Sequence, residues 1–190
     1  MLIALGVDIE TTGLDYRNNH KIIEIAFTSV NVATGEIIDS LACRFNPRRE
    51  IDAKASAVHR ITSDMLVDCP LFEDEAAGLI ERFIVPCDVI VAHNGESFDI
   101  PFLEHELKGY KMALPKRPLI DTMLEGLWAC EDGKRPRLQE LAFALGFTYD
   151  LKQAHGALYD TELMMKCFIR ARERYSLFPL PAELEALRAA

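Results

Sequence analysis

Several features are missing from this sequence, and each absence narrows the class of protein. No stretch approaches the roughly eighteen uninterrupted apolar residues of a membrane-spanning helix, so we expect no membrane partner. The N-terminus lacks a basic segment, and its apolar run is soon broken by Asp8 and Glu10, which argues against a secretory signal peptide. The five cysteines are widely spaced without a C-x-x-C pair, which is typical of reduced thiols in a cytoplasmic protein.

Positive charge is also scarce. Lysine and arginine number 21 against 30 aspartates and glutamates, which gives a formal net charge of −9. This balance argues against a protein that coats nucleic acid through a large basic surface. It permits an enzyme that grips only the end of a strand, because bound metal ions invert the charge of an acidic pocket. The densest positive patch, Lys134–Arg137, fits either a solvated loop or a surface that steers a nucleic-acid strand.

The first strand carries two acids. Asp8 and Glu10 stand two residues apart at the end of an apolar run, and no Lys or Arg lies within five residues of either. In a strand such residues project from the same face. Two like charges side by side raise each other's pKa, and a divalent cation between them offsets that cost. Oxygen ligands suit Mg²⁺ or Mn²⁺, so the pair is interpreted as half of a metal site.

The order of predicted elements indicates an α/β fold. With 190 residues the chain fits one domain, which we place at residues 1–176 with a short tail at 177–190. Three successive strands predict an antiparallel meander, and the later alternation of helices and strands predicts a mixed sheet covered by helices. The predicted strands are 2–9, 21–32, 36–45, 88–92 and 119–121. Short helical turns are predicted in 52–66, and helices at 72–85, 98–108, 122–130, 137–145 and 157–175.

Two further clusters stand at the starts of predicted helices. Asp99 lies in the first turn of one helix, where an acid is also favoured simply by the helix dipole. Asp160 lies in the first turn of the last long helix, and His155 precedes that helix on a predicted loop. Each cluster alone is a weak signal, since any helix start carries acids and single histidines are commonly structural. Together, four carboxylates at element ends could hold two divalent ions, and the histidine could act on a water.

In combination these clusters resemble the DEDDh branch of the DnaQ-like 3′→5′ exonucleases. The family's D-x-E-T/A-T-G motif is found at Asp8–Gly13, H-N-x₃-F/Y-D at His93–Asp99, and H-x₄-D at His155–Asp160. Asn46-Pro47, Val58–Thr62 and Asp121-Thr122 match as well, although Arg60 stands where the family commonly has glycine. The resemblance implies the ribonuclease H-like fold: a five-stranded mixed sheet, with its first three strands antiparallel, flanked by helices.

The resemblance also implies the chemistry. It predicts metal-dependent hydrolysis of DNA or RNA from a 3′ end, with release of nucleoside 5′-monophosphates. Two Mg²⁺ ions are expected, with Mn²⁺ able to substitute, and His155 is expected to act as the general base on the attacking water. The expected metal ligands are Asp8, Glu10, Asp99 and Asp160, with Asp8 bridging both ions.

Substrate contacts are expected beside the acids. Leu14 matches a position that wedges against terminal bases, Phe98 could flank the terminal nucleoside, and His59 matches a nucleotide-contacting position. For Leu14 and Phe98 the alternative is core packing, and for His59 it is a hydrogen bond at a helix end. Backbone N–H groups from Thr11 to Gly13 are candidates for contact with the terminal sugar. The expected partners are 3′ ends in single strands or frayed duplexes.

Three functional alternatives remain open on the sequence. The exonuclease could be free-standing, which the short tail favours, or a proofreading subunit bound to a DNA polymerase; self-association is also open. The third is a catalytically idle nucleic-acid-binding module on the same fold, which the intact acidic set argues against. Outside the motifs, Asp121 is interpreted as a structural or supporting residue, Glu24 as a backbone anchor or site support, and His20 as solvent-exposed.

Overall fold

The computed structural model describes residues 1–189, with side chains through residue 186. Five strands form one sheet in the order β3-β2-β1-β4-β5. β1 pairs antiparallel with β2, β2 antiparallel with β3, and β1–β4 and β4–β5 are parallel. The expected five-stranded mixed sheet with an antiparallel beginning is therefore confirmed. The strands are β1 (Ile3–Thr11), β2 (Ile22–Asn31), β3 (Ile37–Arg44), β4 (Val89–Ala92) and β5 (Leu119–Asp121).

Helices cover both faces of the sheet. Both faces of β2 and β4 are buried, and β4 is a continuous apolar run, as is typical of a strand covered on both sides. The helices are α1 (Ala53–His59), α2 (Phe72–Leu79), α3 (Asp99–Gly109), α4 (Leu138–Ala144), α5 (Ala157–Tyr175) and α6 (Ala182–Ala189). In the part of the chain that the structure describes, no helix is both long and apolar enough to cross a membrane.

Alternate residues of β1 face two different hydrophobic cores, one on each side of the sheet. Leu5, Val7 and Ile9 belong to the core under α2 and α3, whereas Ala4 belongs to the core under α4 and α5. Gly6 shares the face of Ala4, since a β-carbon there would meet side chains of α5. Even-numbered residues of β1 thus look toward α5, and Asp8 and Glu10 continue that row toward the end of the strand.

Two predicted helices differ from the structure. The helix predicted over 72–85 ends its regular part at Leu79 and continues as one wider π-helical turn, Ile80–Ile84. The helix predicted over 122–130 is wrong: only a 3₁₀ turn, Leu127–Ala129, forms there. The carboxylate of Asp121 accepts hydrogen bonds from the N–H groups of Met123 and Leu124, as a helix N-cap does, and the N–H of Glu125 donates to the Asp121 carbonyl, but this turn does not continue beyond Gly126 as a helix.

The C-terminal tail is attached to α5. Phe178 and Leu180 are buried in the core under α5, and the guanidinium of Arg172 donates to the backbone carbonyl of Phe178. The division at residue 176 stays a prediction, and the last residue of the proposed tail lies outside the described residues.

Gly6 is the point at which β1 approaches α5 most tightly. A β-carbon at Gly6 would lie 2.6 Å from Cγ of Met165 and 2.8 Å from Cγ2 of Thr161. We therefore expect Gly6→Ala to lower the free energy of unfolding by about 1–3 kcal/mol through overpacking. Gly78→Ala is the matched control, because nothing lies within 4 Å of its β-carbon, and alanine there should add about 0.5–1 kcal/mol through helix propensity. Urea titration measures both; equal effects of the two substitutions would contradict this packing.

Candidate active site

The four acids predicted as ligands come from three different elements that meet at the end of β1. Asp8 and Glu10 come from the end of β1, and Asp160 comes from the first turn of α5. Asp99 is the first residue of α3, and its buried Oδ1 accepts the backbone N–H of Ile9 at 3.0 Å. This bond ties the start of α3 to β1 between the two strand acids.

The acids raise one another's pKa. Burial raises the pKa of Asp8 well above its usual range, and the charges of neighbouring carboxylates add to the effect; these are, in order, Asp99, Glu10, Asp160 and Glu24. Burial, followed by the charge of Glu24, raises the pKa of Glu10 to about 9. Burial raises the pKa of Asp99 to about 7, against the lowering effect of the Ile9 N–H. The four carboxylates therefore share one electrostatic neighbourhood that favours added positive charge.

Asp160 has one oxygen held and one oxygen free. Its Oδ2 accepts the backbone N–H of His155 at 3.1 Å, whereas its buried Oδ1 has no hydrogen-bond partner. Burial raises its pKa, and the nearby Tyr149 hydroxyl and the His155 N–H partly offset this. A buried acceptor without a donor is costly unless something else binds it.

This donor set fits a divalent cation. All four side chains offer carboxylate oxygens, the ligands that Mg²⁺ and Mn²⁺ prefer. Across residues 1–189, no three His, Cys, Asp or Glu side chains are arranged to hold one ion by themselves. Mg²⁺ often takes only one or two carboxylates and completes its shell with water and substrate phosphate, so a partial protein shell is compatible with such an ion.

A fifth acid lies beside the set. Glu24 is buried on β2 directly opposite Glu10, and it pairs with Arg44 of β3 at 2.7 Å. Its second oxygen accepts the backbone N–H of Ala157, the first residue of α5, at 3.4 Å. Glu24 thus serves both of the roles considered from the sequence: it anchors backbone and supports the site.

Asp121 organises the turn before α3. Besides the two N–H groups after β5, its carboxylate accepts those of Asn94 and Glu96, each at 3.0 Å. The preceding His93 is partly buried between the Thr122 hydroxyl, at 3.0 Å, and the carbonyl of Pro136, at 3.1 Å, and burial lowers its pKa. Both residues hold together the loops around Asp99, which matches the supporting role predicted for Asp121.

An apolar cleft of about 510 Å³ opens beside Glu10. It is lined by Glu10, Thr11, Gly13, Leu14, Asp15, His20, Asp52, Lys54, Ala55, Val58, His59 and Phe98. The side chain of Leu14 is 83% exposed at this cleft, so the core-packing alternative is wrong for Leu14. Phe98 both lines the cleft and packs on Phe102, with ring centroids 5.6 Å apart.

His59 and His20 support the cleft walls. Nδ1 of His59 accepts the N–H of Ile61 at 3.0 Å, the hydrogen bond at a helix end considered above, while its buried Nε2 has no partner. His20 was expected to be exposed, and this is wrong: its side chain is 11% exposed and its Nδ1 lies 3.0 Å from the Thr12 hydroxyl. The ring occupies the space of a β-carbon at Gly13, within 2.3 Å, so residue 13 must lack one. Nothing in the residue pattern around His20 indicated that its ring would contact Thr12 and Gly13.

His155 stands on a loop at the edge of the acids, as the sequence predicted. It is exposed, and its φ of +62° lies in the left-handed region. Its charge helps to lower the pKa of Asp160 and of His59, which indicates that the ring is near both. In the positive patch, Nζ of Lys134 is paired with Glu140 at 2.8 Å, which offsets part of the charge of the patch.

Comparison with known proteins gives consistent matches. The family model RNase T, described as "Exonuclease", matches residues 5–168. The DNA polymerase III PolC-type protein of Bacillus subtilis (strain 168) is 37% identical over 172 residues, covering 88% of this chain but 11% of that protein. DNA polymerase III subunit epsilon of Rickettsia typhi (strain ATCC VR-144 / Wilmington) is 36% identical over 169 residues, covering 86% of this chain and 71% of that protein.

Solved structures share the fold. A zinc-bound complex of E. coli ExoI with ssDNA aligns with a TM-score of 0.79 and 17% identity, over 93% of this chain and 42% of that chain. Exonuclease X in complex with 5′ overhanging duplex DNA aligns with a TM-score of 0.65 and 28% identity, over 96% of each chain.

The raised pKa values make stability depend on pH and metal. The folded chain keeps protons on Asp8, Glu10 and Asp99 that the unfolded chain loses near pH 4, so the folded state binds more protons above that pH. In EDTA, the free energy of unfolding should therefore fall as pH rises from about 4 toward about 9. Mg²⁺ should raise the Tm more at pH 8 than at pH 5, because more of these carboxylates are ionised at pH 8 and a bound cation offsets their mutual repulsion.

Asp8→Asn should be more stable than the wild type in EDTA at pH 8, since it removes one repelling charge. Asp39→Asn is the control: the pKa of Asp39 is lowered by its hydrogen bond to Arg82, so its loss should not stabilise the chain. Thermal unfolding that is indifferent to both pH and Mg²⁺ would contradict the proposed electrostatics.

Proposed function

Since the chain belongs to the RNase T exonuclease family, we propose that it hydrolyses a nucleic-acid strand stepwise from its 3′ end and releases nucleoside 5′-monophosphates. The observation that carries this proposal is the meeting of Asp8, Glu10, Asp99 and Asp160 beside the cleft bounded by Leu14 and Phe98. The acids would lie at the scissile phosphate, and the cleft would hold the nucleoside attached to it. The likeness to DnaQ-like epsilon subunits is consistent with the motifs in the sequence.

Divalent metal dependence is general to this family, and the four acids are the residues that would hold the ions. We propose two Mg²⁺, with Mn²⁺ able to substitute. When bound, such ions activate a water and stabilise the leaving oxygen of a phosphodiester. The single held oxygen of Asp160 and the backbone-bonded Asp99 keep carboxylates oriented without neutralising them.

The chain's own residues position and deprotonate the reactants. As the water oxygen bonds to phosphorus, the bond from phosphorus to the 3′ oxygen breaks, and an imidazole nitrogen of His155 takes the proton from the water. His155 is suited to this role by its exposure on a loop beside Asp160.

The cleft suits one terminal nucleoside. Leu14 and Phe98 offer apolar surface for the base, and Thr11 and Gly13 line the same cleft. The N–H of Thr12 already donates to the carbonyl of Lys21 at 2.9 Å, which leaves the N–H groups of Thr11 and Gly13 as the candidates for contact with the sugar. The Thr11 hydroxyl already donates to the carbonyl of Gly13 at 2.8 Å, which leaves its backbone as the contacting group. His59 supports the opposite wall, and its ring lines the cleft.

The substrate class is nucleic acid, and a 3′ end in a single strand or frayed duplex fits the size of the cleft. The idle-module alternative is disfavoured because all four acids and His155 are present. The five cysteines are free thiols, which supports the proposed cytoplasmic location.

We expect His155→Ala to reduce kcat by about 10²–10⁴-fold while leaving the fold intact, because general base catalysis contributes on that order. Cleavage of 5′-labelled DNA and RNA strands of one sequence should give a ladder that shortens from the 3′ end with Mg²⁺ and stops with EDTA. His105→Ala is the control histidine; it packs against Tyr16, away from the acids. Wild-type turnover by His155→Ala would refute the base assignment, and the absence of a ladder from the wild type would refute the proposed activity.

A second candidate is proofreading within a polymerase complex. It is favoured by relatives named as DNA polymerase III proteins. One of these is a subunit epsilon, and the match with this chain covers 71% of that protein. We expect co-elution with the replicative polymerase subunit of the same organism in size-exclusion chromatography if this candidate holds, and a free-standing enzyme if the two elute separately.

A further inference from the structure

Arg60 bridges two segments that border the candidate active site. It follows the last residue of α1, the helix that supplies one wall of the cleft. One guanidinium nitrogen donates to the carbonyl of Lys152 at 3.3 Å and another to the carbonyl of Leu151 at 3.4 Å. Both acceptors lie in the loop of residues 150–156, which carries His155.

The backbone of Arg60 is in a conformation that glycine adopts more easily. Its φ is +61° and ψ is 13°, and its N–H donates to the carbonyl of Ser56 at 2.8 Å as the helix cap. A β-carbon in this left-handed region costs on the order of 1 kcal/mol. An arginine at this position therefore strains the backbone, and what its side chain contributes is the two hydrogen bonds to the loop.

The loop of residues 150–156 is held together by its own hydrogen bonds, and few hydrogen bonds attach it to the rest of the described chain. Asp150 closes it internally, accepting the N–H of Lys152 at 2.9 Å and, through its carbonyl, that of Ala154 at 2.9 Å. On the α5 side, Tyr159 accepts the N–H of Asp150 at 2.7 Å. On the same side, Asp160 accepts the N–H of His155 at 3.1 Å. Arg60 supplies the attachment on the opposite side, across from α5.

We propose that Arg60 is a positioning residue that fixes the loop of residues 150–156 to α1 and thereby sets the place of His155 relative to the acids. The proposal rests on the proposed function for its catalytic consequence, although the attachment itself can be measured without catalysis. Because α1 also lines the cleft, one rigid element then positions both the nucleoside and the base.

An exposed arginine could instead bind a phosphate of the incoming strand. The structure favours the attachment, because the two nitrogens point at two successive carbonyls of one loop. The two roles have different kinetic signatures: a positioning residue affects kcat, whereas a phosphate contact affects KM and its dependence on salt.

The test is Arg60→Gly, with Arg48→Gly as its matched control. Arg48 is also exposed, also has a positive φ (+50°), and lies in a separate pocket with Tyr110 and Glu106. Both substitutions remove one positive charge and relieve one strained φ, so both should keep or raise the Tm. Only Arg60→Gly should lower kcat, by about three- to ten-fold with KM nearly unchanged, since that is the size of effect of a solvent-exposed charged hydrogen bond.

The second readout is independent of nuclease activity. Trypsin cuts after lysine, and Lys152 is exposed within the loop. Cleavage after Lys152, followed by mass spectrometry, should be about three- to ten-fold faster in Arg60→Gly and unchanged in Arg48→Gly, because the loop opens more often once it is released. Arg60→Lys, which keeps charge and reach, should recover part of both effects, and Arg60→Asn tests the attachment in a residue that tolerates positive φ.

Unchanged kcat and unchanged cleavage after Lys152 in both Arg60→Gly and Arg60→Asn would overturn the proposal. A raised KM with an altered salt dependence and unchanged cleavage would also overturn it and assign Arg60 to the strand. If the wild type lacked exonuclease activity, the proposed function would fail, while the proteolysis experiment would still decide whether Arg60 holds the loop.

Discussion

Repulsion among buried carboxylates is the constraint around which the rest of the structure is arranged. The fold brings four acids together where desolvation and like charge raise their pKa values. It orients two of them with backbone N–H groups, from Ile9 and from His155, rather than with cationic side chains. The nearby Arg44 is committed to Glu24. The charge of the site is therefore left to bound protons or to a divalent cation, and without the cation the folded chain loses stability as the pH rises and these acids ionise.

The sequence predicted the parts of this arrangement that depend on local periodicity. The i, i+2 spacing placed Asp8 and Glu10 on one face, and the helix starts at Asp99 and Asp160 were predicted within one or two residues. Which face of the sheet the acids occupy was not predictable from spacing alone. That choice follows from Gly6, whose missing side chain lets α5 lie directly on the same row of β1.

The features that were not predicted from the sequence depend on contacts that residue type and periodicity do not specify. His20 looked like a solvated histidine, but it fills the space that Gly13 leaves open and bonds to Thr12. Leu14 looked equally able to enter a core, yet a turn presents it to solvent beside an apolar cleft. Residues 122–130 have helical composition, and Asp121 caps their first turn, but the same carboxylate also binds the N–H groups of Asn94 and Glu96, and the helix does not continue. In each case the deciding contact is one that residue type and spacing alone do not specify.

The acids and the base are held in different ways for a physical reason. Carboxylates that repel one another move apart unless their backbones are fixed, so they come from β1, α3 and α5, whose main chains are hydrogen-bonded along their length. A base needs no such restraint against its neighbours, because a neutral imidazole is not repelled by carboxylates. His155 can therefore stand on a loop, and what matters there is the loop's distance from the acids. In the arrangement that we propose, Arg60 attaches the loop to the end of α1 and so sets the distance of His155 from the acids. Because α1 also lines the cleft, the position of the base is then coupled to the wall that receives the substrate.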